Sequence, residues 1–344
     1  MAELYITNFN PHYTGVSATA ANVLRAQVRR YDLALVGQPL PGCPDPITRR
    51  AARTASLKAP PGRPFAIWHV RRNPEMRAAL WLRDIRRAPI RIVFTSAAQR
   101  LHSLYPRWLI SRMDAVIATT EKAAEFVPHV RAVVPHGVDC ERFSPASERA
   151  GAWATLGYGG KRGIATVGRV RPEKGTDLFV EAMLRLLPDM PETVALVVGR
   201  AGGKHEAFLE NLKSQVAAAG LADRILFVGE MPPDDLPALM RALSLVVQLP
   251  RYEGYGMVPL EGLASGVPFV GSETGYYRNF SGQRRVGTVV PLDKAEAAAA
   301  AARDLLGRVD EIAPLAREIA KSHFSAEAEA DGIDRVYQAL WSNG

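Results

Sequence analysis

The sequence predicts an α/β protein with two doubly wound domains, each a parallel sheet covered by helices on both faces. Three observations carry this prediction. The chain has 344 residues, more than a single hydrophobic core usually serves. Short apolar runs alternate with amphipathic stretches along most of its length. This alternation stops near residue 145 and starts again at residue 163.

In the first half, helical patterns at 17–30 and 74–87 separate apolar runs that are typical of buried strands. The segment 39–64 contains seven prolines and no strand pattern, so it predicts a long surface excursion. The predicted strands are 4–6, 33–36, 65–68, 90–94, 115–118 and 132–134.

The second half repeats the pattern after a seam between 143 and 162 that contains Pro145 and the glycine-rich cluster 157–160. The alanine-rich stretch 295–302 predicts a helix. The predicted strands here are 163–167, 194–198, 225–228, 245–247 and 268–270. We therefore expect domains at 1–150 and 151–325, followed by a helical segment, 326–344, able to pack back on the first domain.

The positive charge is concentrated in the first half. Residues 1–150 carry 22 Lys and Arg against 11 Asp and Glu, whereas the rest carry 21 against 24, and ten arginines fall within 71–112. This pattern indicates either a solvated basic face or attraction to an anionic membrane, a phosphorylated lipid or nucleic acid. Nucleic acid is disfavoured because the chain lacks zinc-finger spacing and basic strands interleaved with aromatics.

The sequence predicts a cytoplasmic location. No stretch approaches the roughly 20 apolar residues that span a bilayer, and the start does not resemble a secretory signal. Cys43 and Cys140 show neither disulfide nor metal spacing and are expected to be reduced thiols.

The segment from Glu253 to Glu261 carries the strongest chemical signal. An apolar run is followed by Glu-Gly-Tyr-Gly and then by a helical pattern starting at Met257. Glycines at 254 and 256 let the backbone approach a ligand, and the amides of Met257, Val258 and the next turn would form an anion site at a helix N-terminus. Glu261, one turn later, would accept hydrogen bonds from sugar hydroxyls. The alternative is a glycine turn with two solvated glutamates.

Two other turns follow predicted strands. Arg169 and Lys174 lie after strand 163–167, where two cations suit a diphosphate, although a basic surface loop would look the same. Gly15 lies at the first strand–helix turn, where its amide would approach a phosphate or sugar. His69 ends a predicted strand and His136 lies near the seam, and each is either functional or structural. No cluster has metal spacing, so neither a metal nor another cofactor is expected.

These motifs resemble the family 4 retaining glycosyltransferases, which have the GT-B fold of two Rossmann-like domains facing a central cleft. EGYGMVPLE matches that family's E-x7-E signature, VGRVRPEKG its phosphate loop and VPHGVDCERFSP its hinge element. IWHVRRNPEM and FTSAAQRLHSLYPRWLISRMDAVIAT further resemble lipopolysaccharide core mannosyltransferases of alphaproteobacteria. The resemblance implies an N-terminal acceptor domain and a C-terminal nucleotide-sugar domain.

The resemblance also implies roles for individual residues. Arg169 and Lys174 would hold the donor diphosphate, Glu261 the ribose, and Glu253 the sugar together with the amides of 256–258. Gly15 would close on the donor, and His69 would lie near the reacting carbon. The family's usual Asn in the hinge element is His136 here, so the resemblance assigns no side-chain role at that position.

The implied reaction moves mannose from GDP-mannose to an anionic, lipid-linked lipopolysaccharide core acceptor at the cytoplasmic face of the inner membrane. The protein would be peripheral there, with salt-sensitive binding through the arginines of 71–112, and would not bind nucleic acid. Three alternatives remain: a UDP- or ADP-sugar donor with another acceptor, a UDP-sugar 2-epimerase, and a nucleotide-sugar-binding module without turnover.

Overall fold

The structure is a computed structural model that describes residues 2–342. In this part of the chain, strands and helices alternate from end to end. The strands are β1 Leu4–Asn8, β2 Leu33–Gly37, β3 Ala66–Val70, β4 Ile90–Ser96, β5 Ala115–Ala118, β6 Val130–Val133, β7 Arg162–Val167, β8 Thr193–Val198, β9 Ile225–Gly229, β10 Leu243–Gln248, β11 Phe269–Ser272 and β12 Gly287–Val290. The α-helices are α1 Gly15–Gln27, α2 Arg49–Ala55, α3 Asn73–Leu80, α4 Leu104–Ser111, α5 Glu121–Ala124, α6 Arg149–Thr155, α7 Thr176–Leu186, α8 Glu206–Ala218, α9 Leu236–Ala242, α10 Met257–Ala264, α11 Tyr277–Phe280, α12 Ala295–Leu306, α13 Val309–His323 and α14 Ala326–Ser342.

The chain forms two compact units, Met1–Gly137 with Phe324–Gly344, and Val138–His323. The first unit contains a parallel sheet in the order β2-β1-β3-β4-β5-β6. One face of this sheet packs on α3 and α4, and the other on α1 and α14. In that second core, Ile333, Val336, Tyr337 and Trp341 of α14 pack with Leu4, Ile6 and Leu24.

The second unit contains a parallel sheet in the order β12-β11-β10-β7-β8-β9. Its central strands are apolar on both faces, and β8 and β10 are buried along their whole length. Helices cover such a sheet on both sides, as parallel strands joined by helical crossovers require. α7 packs on α12, and α10 packs on α13.

The strand orders identify one special position in each sheet. In the first unit the chain moves in one direction from β1 to β2 and in the other from β3 onward, so the order reverses between β1 and β3. In the second unit the reversal lies between β7 and β10. Ligands of open α/β sheets bind beyond the carboxyl ends of the strands that flank such a reversal. The loops after these four strands are therefore the places to look for a site.

The predicted fold class is confirmed by these two parallel sheets. Every predicted strand is present, but β12 was missed because only two of its four residues, Val289 and Val290, are apolar. The proline-rich segment was not wholly irregular, since it includes α2 with Ala52 fully buried. The predicted helix 74–87 is α3, continued by a π-helical turn at Trp81–Ile85. Among the described residues, no helix has both the length and the hydropathy needed to cross a membrane.

Candidate active site

The turn between β10 and α10 is shaped by Gly256. This residue adopts φ 88°, in the left-handed region that favours glycine. A Cβ built there would lie 2.2 Å from the Tyr277 ring, so no side chain fits between the turn and that ring. Tyr277 itself is fully buried, and burial raises the pKa of its hydroxyl. The turn therefore rests closely on an aromatic support.

The first turn of α10 presents backbone amides that no side chain caps. Gly256 is the N-cap residue, and the first turn contains no acidic residue. Within the described part of the chain, the amides of Met257 and Val258 donate to no backbone carbonyl outside the helix. Such amides, at the positive end of the helix dipole, form an anion site.

The carboxylate of Glu261 lies one turn further along α10 and is almost fully buried. Its Oε2 atom has no hydrogen-bond partner among the described residues. Burial raises the pKa of Glu261 to about 7, and the positive charge of Arg142 opposes that rise. A buried carboxylate oxygen without a donor is costly unless a ligand supplies one.

The loop after β7 contacts the Glu253 turn directly. Lys174 Nζ lies 2.5 Å from Glu253 Oε2, and the other oxygen of Glu253 accepts the Gly254 amide at 2.8 Å. Arg169 is exposed and has no hydrogen bond or ion pair with the residues described. Gly168 precedes it with φ 152°, which turns the chain away from the strand. The carboxyl ends of β7 and β10 thus bring a lysine and a glutamate from distant sequence into one site.

Arg251 ties these two loops together and was not singled out from the sequence. Its guanidinium makes two parallel hydrogen bonds to Asp177, at 2.9 and 2.8 Å, and a third to Asp293 at 2.6 Å. It also donates to the Pro172 carbonyl at 2.6 Å. The hydrogen bonds to Asp177 are the largest cause that raises the pKa of Arg251. Arg251 therefore holds the backbone of the loop that contains Lys174.

Gly15 begins α1 in the first unit and is exposed. The guanidinium of Arg72, which follows β3, donates to the hydroxyls of Thr14 and Ser17 at 3.1 and 3.0 Å. It also donates to Glu75 at 3.3 Å. These bonds hold the strand–helix turn around Gly15 at the carboxyl ends of β1 and β3. Arg72 and Glu75 gave no motif in the sequence, because their partners lie about 60 residues away.

His69 lies in β3 and is fully buried. Both of its ring nitrogens are occupied, since Nδ1 is hydrogen-bonded to the Tyr337 hydroxyl and Nε2 to Thr95 Oγ1 at 2.7 Å. Burial lowers the pKa of His69 well below its usual value, and Arg71 adds to this effect. The ring is therefore neutral and held in place within the first unit. Its predicted position at the reacting carbon stays a prediction.

His136 is held by the C-terminal helix. Its Nδ1 lies 2.7 Å from Glu329 Oε1, and the Gly137 amide donates to the other oxygen of the same carboxylate at 2.7 Å. A Cβ at Gly137 would lie 2.1 Å from the Ser325 carbonyl oxygen, so only glycine fits there. The pair His136–Gly137 therefore anchors the end of the first unit's main segment on α14.

The arginines of 71–112 do not form one uniform basic face. Arg71 is buried, Arg72 serves the Gly15 turn, and Arg83 pairs with Asp114 at 2.6 Å. Seven others are exposed: Arg77, Arg86, Arg87, Arg91, Arg100, Arg107 and Arg112. Beside them is an open groove of about 660 Å³ with three exposed aromatic rings, Trp81, Tyr105 and Trp108.

The predicted residues thus fall into two groups. Lys174, Glu253, Glu261 and the turn 256–258 share the second unit, with Arg169 on the loop beside them. Gly15 and His69 belong to the first unit. The members of both groups lie in or follow the strands at which the sheet order reverses.

The sequence of this chain is similar to those of known glycosyltransferases. A model of the family described as "Glycosyl transferases group 1" matches residues 153–321. The lipopolysaccharide core biosynthesis mannosyltransferase LpsB of Rhizobium meliloti is 41% identical over 347 residues, covering 98% of this chain and 97% of that protein. LpcC of Rhizobium leguminosarum bv. viciae, which bears the same description, is 39% identical and covers 98% and 96%.

Solved structures agree on the fold. The crystal structure of Anabaena Alr3699/HepE in complex with UDP matches 98% of this chain and 99% of its own, with a TM-score of 0.77 and 15% identity. The shared fold is GT-B, as predicted. Since near full-length relatives and the family model agree, the chain belongs to the group 1 family of glycosyltransferases.

Proposed function

We propose that this protein transfers mannose from GDP-mannose, with retention of configuration, to an anionic lipid-linked saccharide of the lipopolysaccharide core. The named activity of two relatives that match the whole chain supports the sugar and the acceptor. The second unit binds the nucleotide sugar, and the first unit binds the acceptor.

The unpartnered carboxylate of Glu261 is the observation that carries the donor site. Its buried Oε2 has no hydrogen bond to any residue that the structure describes, and a ribose supplies two vicinal hydroxyl donors. The uncapped amides at the start of α10 and the cations Arg169 and Lys174 suit the diphosphate. The second unit thus has a matching group for the nucleoside and several for the diphosphate.

We propose a same-face displacement. The bond between the anomeric carbon and the diphosphate oxygen breaks, and the acceptor hydroxyl oxygen forms its bond on the same face. Its proton passes to a diphosphate oxygen, so no protein base is consumed. Lys174 and Arg169 stabilise the charge on the leaving group. Glu253, which accepts from both Lys174 and the Gly254 amide, positions the sugar and does not act as a nucleophile.

The decisive experiment is a donor screen followed by a transfer assay. Thermal unfolding is measured with GDP, UDP, ADP and their sugars, because a ligand of the folded state raises the midpoint by mass action. GDP and GDP-mannose should give the largest shift. Transfer to rough lipopolysaccharide should then proceed with GDP-mannose and yield an α-linked mannose by NMR.

Each alternative has its own signature in the same assays. A larger shift and faster transfer with a UDP- or ADP-sugar would replace GDP-mannose as the donor. Conversion of a UDP-sugar in the absence of acceptor would indicate the epimerase, and binding without turnover would indicate a binding module. A β-linked product would overturn retention. Full activity in excess chelator is expected, since the leaving group is stabilised by Arg169 and Lys174 in the proposed reaction.

We further propose that the protein is peripheral at the cytoplasmic face of the inner membrane, where a lipid-linked acceptor is presented. The groove with Trp81, Tyr105 and Trp108, bordered by exposed arginines, supports this placement. Amphipathic aromatic rings favour the membrane interface, and arginines attract anionic lipids.

A further inference from the structure

Arg71 differs from every arginine described so far. It follows β3 and is only 8% exposed. Its Nε and Nη1 atoms are both buried without a hydrogen-bond partner among the described residues. Arg72, the next residue, donates to Asn8, Glu75, Thr14 and Ser17. The guanidinium of Arg72 thus donates four hydrogen bonds, whereas Nε and Nη1 of Arg71 donate none to the described residues.

The two carboxylates whose charges act on Arg71, Glu75 and Glu329, accept hydrogen bonds from other donors. Glu75, fully buried, accepts from the Thr7 hydroxyl and from the Phe9 amide. It also accepts the main-chain amides of Arg71 and Arg72, at 2.8 and 3.1 Å. Glu329 accepts from His136 and from the Gly137 amide. Neither carboxylate forms a salt bridge with the Arg71 guanidinium, although both act on it electrostatically.

This arrangement is unfavourable for the folded protein alone. Burial lowers the pKa of Arg71, because the charged form has lost its water without gaining a partner. Buried charges are normally paired, and the exceptions concentrate at functional sites. A fork of planar N–H donors is the geometry that binds a carboxylate or a phosphate through two parallel hydrogen bonds.

The position of Arg71 in the fold points the same way. It lies at the carboxyl end of β3, where the strand order of the first sheet reverses and where a ligand is expected. The Thr119 hydroxyl, after β5 on the same edge, is also buried and has no hydrogen-bond partner among the described residues. Two unsatisfied polar side chains thus follow strands at the edge where an acceptor would bind.

We propose that Arg71 binds an acidic group, a carboxylate or a phosphate, carried by the saccharide acceptor, and so selects charged over neutral acceptors. The proposal rests on the proposed function only in assuming a saccharide acceptor in the first unit. Arg71 acts here as a binding residue. It is distinct from Arg169 and Lys174, which serve the donor in the second unit.

The first test is the stability of the unliganded protein. Arg71→Met removes a buried charge without a partner, so its unfolding midpoint should equal or exceed that of the wild type. Arg72→Met is the matched control, and it should lower the midpoint because it breaks four hydrogen bonds. A fall for Arg71→Met as large as that for Arg72→Met would assign Arg71 a structural role and overturn the proposal.

The second test is anion binding, with glucuronate, glucose 6-phosphate and neutral glucose as probes. All variants carry Arg169→Ala, so that the donor site does not compete for phosphate. At least one charged sugar should raise the midpoint where glucose does not. Arg71→Met should weaken that binding about tenfold or more, the usual effect of losing charged hydrogen bonds. A response to glucuronate alone identifies a carboxylate, and one to glucose 6-phosphate alone a phosphate.

Equal binding of the charged sugars by Arg71→Met and its parent would refute the inference, as would no binding at all. Arg71→Lys is measured in parallel and should also weaken binding of the charged sugars, because lysine keeps the charge and loses the fork. Nucleotide-induced midpoint shifts are measured on the same variants with Arg169 intact. If nucleotides do not shift the midpoint of the wild type, the proposed function is contradicted. The sugar titration tests the role of Arg71 separately.

Discussion

Glu261 links the site to the stability of the fold at the scale of a single residue. Its pKa is raised from 4.5 to about 7 because the carboxyl group is buried. A folded-state pKa above the unfolded value means that the protonated form is the one the fold favours. Its contribution to stability is therefore fully present below pH 4.5 and is lost as the pH rises through 7.

Glu261→Gln should remove this pH dependence. A shift of that size corresponds to about 3 kcal/mol between acidic and alkaline conditions. Without nucleotide, the wild type should lose stability between pH 5 and 8 relative to Glu261→Gln in urea unfolding. Nucleotide binding should be weaker in the variant, since a neutral amide accepts ribose hydrogen bonds less strongly. Parallel pH profiles of the two proteins would contradict the buried, unpaired state of this carboxyl group.

Gly256 tests the turn geometry. Gly256→Ala places a methyl group 2.2 Å from the Tyr277 ring, in addition to the strain of φ 88°. Gly220→Ala is the control, because Gly220 has φ 67° but nothing within 4 Å of its Cβ. The control should lose about 1 kcal/mol from strain alone. Gly256→Ala should lose more and should also lose nucleotide binding; equal effects would mean that the ring contact is unimportant.

The sequence could identify residues whose chemistry shows in a local pattern. Lys174 and Glu253 were predicted from motifs that each lie beside one strand, and parallel sheets bring such strand ends together. Arg251 and Arg71 could not be recognised in this way. Arg251 matters because it donates hydrogen bonds to three acceptors from distant segments. Arg71 matters because the neighbouring carboxylates accept hydrogen bonds from other groups. Both properties depend on distances that no spacing encodes.

At the scale of elements, Arg251 holds the loops after β7 and β10 in register. Arg251→Met breaks its bidentate pair with Asp177 and its bond to Asp293. We expect a loss of about 1–2 kcal/mol, reduced by solvent because the side chain is one-third exposed. Nucleotide affinity should also fall, as Lys174 loses its support.

Arg185→Met is the control for this change. Arg185 forms an exposed pair with Glu181 within α7, worth less than about 0.5 kcal/mol. Urea unfolding and nucleotide titration of both variants separate the two cases. If Arg251→Met behaves like Arg185→Met in both measurements, the loops do not depend on this contact.

The elements were largely predictable because buried parallel strands are continuous apolar runs. The exceptions have a physical reason. β12 is a four-residue edge strand with a burial pattern that includes two half-exposed positions. α2 lies in a proline-rich segment, yet all of that segment's prolines lie outside its seven residues. The prolines therefore prevent helical structure on both sides of α2 but not within it.

At the scale of the whole molecule, the candidate binding residues of both units lie where the strand order of each sheet reverses. Each sheet reverses its order once, and the predicted or inferred binding residues follow the strands at that reversal. Arg169, Lys174 and Glu253 follow β7 and β10, whereas Gly15 and Arg71 follow β1 and β3. A cation and a glycine turn recur in each unit, which is the combination that anionic ligands require. This recurrence supports an anionic donor in one unit and an anionic acceptor in the other.

The whole molecule should bind anionic membranes through the surface formed by Trp81, Tyr105, Trp108 and the exposed arginines beside them. Arg53 and Arg86 lie 5.2 and 5.7 Å from the Trp81 ring centre, so charge and aromatic surface are combined there. In flotation with anionic and zwitterionic liposomes, we expect binding to the anionic ones only, and weaker binding at high salt.

The double variant Arg86→Gln/Arg107→Gln should weaken anionic-liposome binding by about 2 kcal/mol, roughly thirtyfold, because each arginine near the surface contributes about 1 kcal/mol. Arg29→Gln/Arg131→Gln is the matched control. It removes the same charge from exposed positions outside this surface and should bind as the wild type does. Trp81→Ser/Trp108→Ser should weaken liposome binding at all salt concentrations, since it removes apolar surface that would be buried in the membrane interface and removes no charge. Equal losses of liposome binding in the two arginine variants would show that only the net charge of the protein matters. Binding that does not change with salt concentration would show that the arginines do not contribute to it.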